Sequence, residues 1–210
     1  MYKSTLTTSP SARDRGKPTT PYKSGVVFVK IKILTEVITM NETVKNLVER
    51  KSCRCFQKKH VDRALIEDIV AAGLNAPSGM NKQTPRFVVV QDEETVKKLS
   101  ELNAAVANMP FDPFYGAQDV IIVLAKKEFT YIYDGSLAMG NLMNAAWSMG
   151  IDSRWIHRAK EVFDSEDGKQ LLKKWGIEED VEGIGFCILG YAAEEKEKTE
   201  IKDGRVFFVS

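Results

Sequence analysis

The stretch Ala76 to Val90, APSGMNKQTPRFVVV, constrains this chain more than any other. Apolar residues at helical spacing, Leu65, Ile66, Ile69 and Val70, lead into it. Pro77 cannot continue a helix and pushes its predecessor toward extended geometry, so the helix must stop there. Ser78, Gly79 and Asn81 are turn formers with small polar groups. Pro85 closes the loop, and Phe87-Val88-Val89-Val90 reads as a buried strand. A helix, a polar loop and a core strand in that order make a shelf for a small molecule. It offers the side chains of Ser78, Asn81 and Gln83, and the close backbone approach that Gly79 permits.

At 210 residues the chain suits one domain with a tail, and it can bury a sizeable core. Its formal net charge of +1 hides a split. Residues 1–39 carry +5, and the remainder carries −4. A mildly acidic body argues against nucleic-acid binding. Cys53, Cys55 and Cys187 are too few for a disulfide framework and fit a reducing compartment, the cytoplasm. No apolar run approaches the ~20 residues of a membrane span. Residues 1–24, rich in Ser, Thr, Pro, Lys and Arg, read as a disordered extension, a start-site artefact or a transit-like leader. Residues 25–39 look strand-like. The folded domain is expected over 40–210, with the extension over 1–39.

From Met40 the chain reads in order. Asn41 or Thr43 caps a helix with Val44, Leu47 and Val48. Asp62 caps the helix that runs to the shelf, and Asp92 caps one with Val96, Leu99 and Leu102. Asn108 to Gln118 is a long loop whose Phe111, Phe114 and Tyr115 either roof a ligand pocket or plug the core. Val120 to Ala125 is a strand. Tyr131 to Met149 is a helix with apolar and small residues around most of its circumference, suited to the core or to a dimer interface. Gly150 ends it. Ile151 to Ile156 is extended and runs into His157-Arg158, and an amphipathic helix surrounds Leu171, Leu172 and Trp175. Gly183 to Ala192 is an apolar strand with Cys187 as a core thiol. The apolar run Arg205 to Val209 follows a charged tether, with no evident partner inside one subunit.

In ERKSCRCF, Glu49 to Phe56, residues Arg50, Ser52 and Arg54 alternate, so an extended segment puts them on one side. Two guanidiniums and a hydroxyl there fit a phosphate, or else form a solvated basic patch at a helix end. Neither a dinucleotide-binding glycine fingerprint nor a P-loop is present. Cys53, Cys55 and His60 lack a second ligand pair, so no metal site is expected.

These motifs, in this order over residues 40–210, resemble the FMN-dependent nitroreductase family. ERKSCRCF resembles the opening R-x-S-x-R. APSGMNKQTPRFVVV resembles A-P-S-x-x-N-x-Q-P-x-x-F. DPFYGAQDVIIV, DGSLAMGNLMNAAWSMGIDSRWIHRA and GIGFCILGYA complete the series. The resemblance implies an α+β fold, a mostly antiparallel sheet flanked by helices, in an intertwined homodimer with C-terminal strand exchange. It implies FMN as cofactor, NADH or NADPH as donor, and a small-molecule electron acceptor such as a nitroaromatic or quinone, reduced by a ping-pong hydride mechanism.

By position, Arg50, Lys51, Ser52 and Arg54 would hold the FMN phosphate and ribityl end. Pro77 and Ser78 would come from the other subunit, while Asn81 and Gln83 would reach the ring or ribityl. Ile156, His157 and Arg158 would lie beside the flavin, the last two as candidate catalytic groups, and Lys202 or Arg205 would complete the phosphate grip. The sequence departs from the family where many relatives carry Glu-Gly or Gly-Gly at His157-Arg158, and where Thr84 intervenes before Pro85. The rivals are another reduction on the same scaffold (free-flavin reduction, dehalogenation or ene reduction) and a flavin-storage protein without turnover.

Overall fold

Asn41, Asp62 and Asp92 each begin a helix in the computed structural model, which describes residues 40–196 and 200–209. The expected extension 1–39, with its strand-like stretch, lies outside the described residues. The described residues fall into two units, 40–196 with 200 in the larger and 201–209 in the smaller.

In the larger unit, α1 (Glu42–Glu49) is capped by Asn41, whose side chain accepts from Thr43 N at 2.9 Å. Asp62 does the same for Ala64 N ahead of α2 (Arg63–Leu74). Helix α2 ends at Asn75, ahead of Pro77, as proline chemistry requires. After β1 (Pro85–Val90), Asp92 accepts from both Thr95 N and Thr95 Oγ1 to start α3 (Glu93–Ala107). Then come β2 (Asp119–Lys126), α4 (Tyr131–Ser148), β3 (Asp152–Ile156), α5 (Ala159–Asp164), α6 (Glu166–Lys174) and β4 (Val181–Gly190). The amphipathic helix expected around Leu171, Leu172 and Trp175 forms as α6, and the stretch 159–175 that holds it is not one helix. Ser165 breaks it, because its extended backbone ends α5 and its Oγ accepts from Gly168 N to start α6.

The four strands pair antiparallel throughout, in the order β1-β2-β4-β3. The continuous apolar run of β2 follows from burial on both faces. Val120, Ile122 and Leu124 pack with Leu99, Val162, Phe163 and Phe186 beneath α3 and α5. Ile121, Val123 and Ala125 pack with Ile66, Ile69, Met139 and Leu142 beneath α2 and α4. Each such buried branched side chain contributes about 1.5–3 kcal/mol. In the smaller unit, the run Arg205 to Val209 is exposed and forms no named strand.

Hydrogen bonds from the Thr95 hydroxyl and amide hold the Asp92 carboxyl below its usual range. The cap therefore stabilises above the unfolded carboxylate pKa of about 3.9 and is lost as pH falls through the lower folded value. Thermal melts of the protein and Asp92→Asn should show a gap at neutral pH that closes below about pH 3.9.

Candidate functional site

Residues 50–56 leave α1 and lie along the free edge of β3. Ser52 bridges Ser153 in parallel, and Cys53 N donates to Ser153 O at 3.1 Å. Farther on, Gln57 N donates to Tyr191 O and Ala193 N donates to Cys55 O. Extended geometry gives the expected alternation, with Ser52 and Arg54 exposed and Cys53 buried.

Arg50 is half-buried, and its Nη1 has no hydrogen-bond partner among the described residues. The same is true of Ser153 Oγ and Trp155 Nε1. Ser153 and Trp155 point to one face of β3, opposite Leu189 and Cys187. Burial pushes the Cys187 thiol up to about 12, and the Arg50 charge acts against that rise. Unsatisfied buried groups of this kind cost roughly 1–3 kcal/mol each. Their donor chemistry suits an oxygen-rich anionic ligand. Lys51 is engaged elsewhere, its Nζ donating to Lys196 O at 3.0 Å, while Lys196 pairs with Asp152.

The shelf forms as a second group. Gln83 N donates to Ser78 Oγ at 2.9 Å, and Gln83 Nε2 donates to Asn81 Oδ1 at 3.0 Å. Met80, Asn81 and Gln83 all have left-handed φ, at 50°, 55° and 48°, which is costly for side-chain-bearing residues and needs an outside clamp. Asp134 of α4 supplies it. This buried carboxylate accepts from Gly79 N at 2.9 Å, Thr84 Oγ1 at 2.8 Å and Thr130 Oγ1 at 3.2 Å. A side chain at residue 79 would collide with Thr130, so glycine belongs there. The inserted Thr84 thus has a physical role as part of the clamp. Sequence reasoning missed Asp134; the available signal was an acid in a helix otherwise made of apolar and small residues. Ser153 and Trp155 were missed too, although strand alternation predicts that they share a face.

At the end of β3, Ile156 is buried, His157 exposed and Arg158 half-buried. Arg158 has φ 73°, where glycine is at ease and other residues lose about 1–2 kcal/mol. Glycine would therefore suit this position better than arginine. Arg158→Gly should therefore raise denaturant-measured stability by about 1 kcal/mol. No change or a loss would show that the guanidinium makes compensating contacts.

The shelf and the Arg50 segment lie apart in this chain. The shelf leads into β1 and the Arg50 segment lies along β3, at opposite edges of the sheet. Three strand spacings, about 14 Å, separate those edges. Pro77, at the start of the shelf, is exposed. Lys202 and Arg205 belong to the smaller unit. His60 Nδ1 lies 2.9 Å from Asp119 Oδ1, and the Cys53 thiol donates to Cys55 O. A cleft of about 550 Å³ lies away from the shelf and the Arg50 segment, between α3 and the loop 109–118. Phe111 stands at its rim, exposed, whereas Phe114 plugs the core beside Phe186 with ring centroids 5.3 Å apart.

Residues 47–113 match the sequence profile of the Nitroreductase family. The "Putative NADH dehydrogenase/NAD(P)H nitroreductase" of Archaeoglobus fulgidus is 30% identical over 171 residues, 78% of this chain and 93% of its own. Among solved structures, a nitroreductase with bound FMN from Bacteroides fragilis superposes with a TM-score of 0.75 at 25% identity, covering 81% of this chain and 100% of its own. One from Desulfitobacterium hafniense, also with bound FMN, gives 0.74 at 26% identity, covering 82% and 100%.

Proposed function

This chain belongs to the nitroreductase family, and we propose that it is an FMN-dependent oxidoreductase acting as a homodimer. The donor is NADH or NADPH, and the acceptor is a nitroaromatic, a quinone or a similar small molecule. The observation that carries the reading is the half-buried Arg50 with Nη1 unpartnered at the β3 edge. A guanidinium held partly out of water is well matched by a phosphate, which it grips with paired hydrogen bonds. The residues present therefore fit FMN.

Arg50, Ser52 and Arg54 hold its phosphate and ribityl end, with Lys51 keeping the segment in place through Lys196. Lys202 or Arg205 adds basic charge to the grip. Pro77, Ser78, Asn81 and Gln83 of a second copy would border the ring, with Ile156, His157 and Arg158 also beside it. When bound, FMN supplies the hydride-accepting and hydride-donating chemistry that no side chain offers. The protein's share is to orient, to exclude water and to place charge. Arg158 would favour negative charge on the ring, and the exposed His157 can exchange protons with solvent. Donor and acceptor would bind in turn, which would give ping-pong kinetics.

The opposite-edge arrangement of the two half-sites supports the dimer, as do exposed apolar residues on two helices that pack together. These are Val44, Leu47 and Val48 of α1, and Ile132 and Leu137 of α4. The exposed run Arg205 to Val209 suits an exchanged C-terminal segment. The test is anaerobic. Purified protein should carry a flavin absorbance spectrum that NADH or NADPH bleaches and that a nitroaromatic or quinone restores. Bound flavin inert to both nicotinamides would mean storage without turnover, and colourless protein that takes up no added FMN would overturn the reading.

A further inference from the structure

Asn103 sits on the inward side of α3 with Val96 and Leu99, and it is fully buried. A carboxamide in that setting costs stability unless both its ends are paired. Its Nδ2 donates to His157 O at 2.7 Å, but its Oδ1 has no partner among the described residues. A leucine would pack there without that cost, so the bond to His157 is the distinctive contribution of this side chain.

The bonded carbonyl stands where secondary structure gives little support. The β3 ladder ends at Ile156 opposite Phe186. Helix α5 starts at Ala159, and Val162 N donates to Arg158 O, one residue past His157. Between them Arg158 takes its left-handed turn. The direction of the chain at His157 is thus set by a contact 54 residues away in sequence. A side chain swings about its own Cα–Cβ bond in discrete rotamers, so fixing the backbone fixes the few places its ring can stand.

We propose that Asn103 is a positioning residue that clamps the His157 carbonyl and thereby sets where the exposed His157 ring stands beside the flavin. This rests on the flavin-enzyme reading given above. The test uses Asn103→Leu, which removes the donor while filling the space, with Asn103→Ala as a second variant should the first not fold. The chain has two histidines, so His157→Ala assigns their ring resonances, and His60, held by Asp119, serves as internal control. In the full chain, with or without flavin, either Asn103 variant should move the His157 resonance and leave that of His60 in place. In the FMN-loaded protein it should lower kcat for acceptor reduction by about tenfold, and by little when His157→Ala is already present. An unmoved His157 resonance, or an equal loss in both backgrounds, overturns the proposal. A chain that binds no FMN overturns the flavin reading instead, and the resonances still decide the clamp.

Discussion

Arg50→Ala combined with Arg54→Ala should strip FMN from the protein, weakening its binding by about a thousandfold. That figure follows from two charge-assisted grips on one phosphate at roughly 1.5–3 kcal/mol each. The sign of a second effect separates this from simple damage. Arg54 is exposed, and Arg50 Nη1 has no hydrogen-bond partner among the described residues. Removing both should leave the melting temperature of flavin-free protein unchanged or raised, and should abolish the rise that FMN produces in the unmodified chain. Parallel melts with and without FMN, beside a flavin titration, check both halves. Yellow colour retained by the double variant after dialysis would sink the phosphate assignment.

Asp134→Ala has the second large effect, on stability and on the shelf together. The carboxylate takes three hydrogen bonds, and its loss leaves Gly79 N and Thr84 Oγ1 unpaired beneath a loop of left-handed residues. At roughly 1–3 kcal/mol per unsatisfied buried group, the cost should be about 3 kcal/mol or more. In a chain of this size that lowers the melting temperature by about 10 °C. Asp134→Asn keeps the shape but exchanges one accepting oxygen for a donor, so it should recover about half of the loss. Denaturant unfolding gives the energies. Amide hydrogen exchange at Gly79 to Gln83 should show the shelf opening first in the Ala variant. Equal protection there in both proteins would remove Asp134 from its role as the clamp.

What the sequence disclosed was mostly local. Asn41, Asp62 and Asp92 are legible as caps because each bonds an amide two or three residues away. The continuous apolar run of β2 announces a strand covered on both faces. Arg50, Ser52 and Arg54 alternate by the pleat alone. The contacts that escaped are long-range. Asp134 and Thr84 meet across 50 residues, and Asn103 and His157 across 54. Nothing in the composition of either segment specifies the other. Ser165 escaped for a different reason, since one residue both ends α5 and caps α6, and apolar periodicity alone runs straight through it. The strand order that sends the shelf and the Arg50 segment to opposite edges of the sheet is tertiary information, and the family resemblance alone led to the proposal that they meet between different copies.

The account turns on that division of the site between two chains, and subunit mixing tests it most directly. One preparation carries Arg50→Ala and Arg54→Ala, the other Asn81→Ala and Gln83→Ala, and neither alone should hold FMN. Unfolded together and refolded, they should regain flavin, because a mixed pair contains one site with both of its halves intact. A mixture as colourless as its parents, with mixed pairs shown to have formed, would mean that each cleft is built within a single chain.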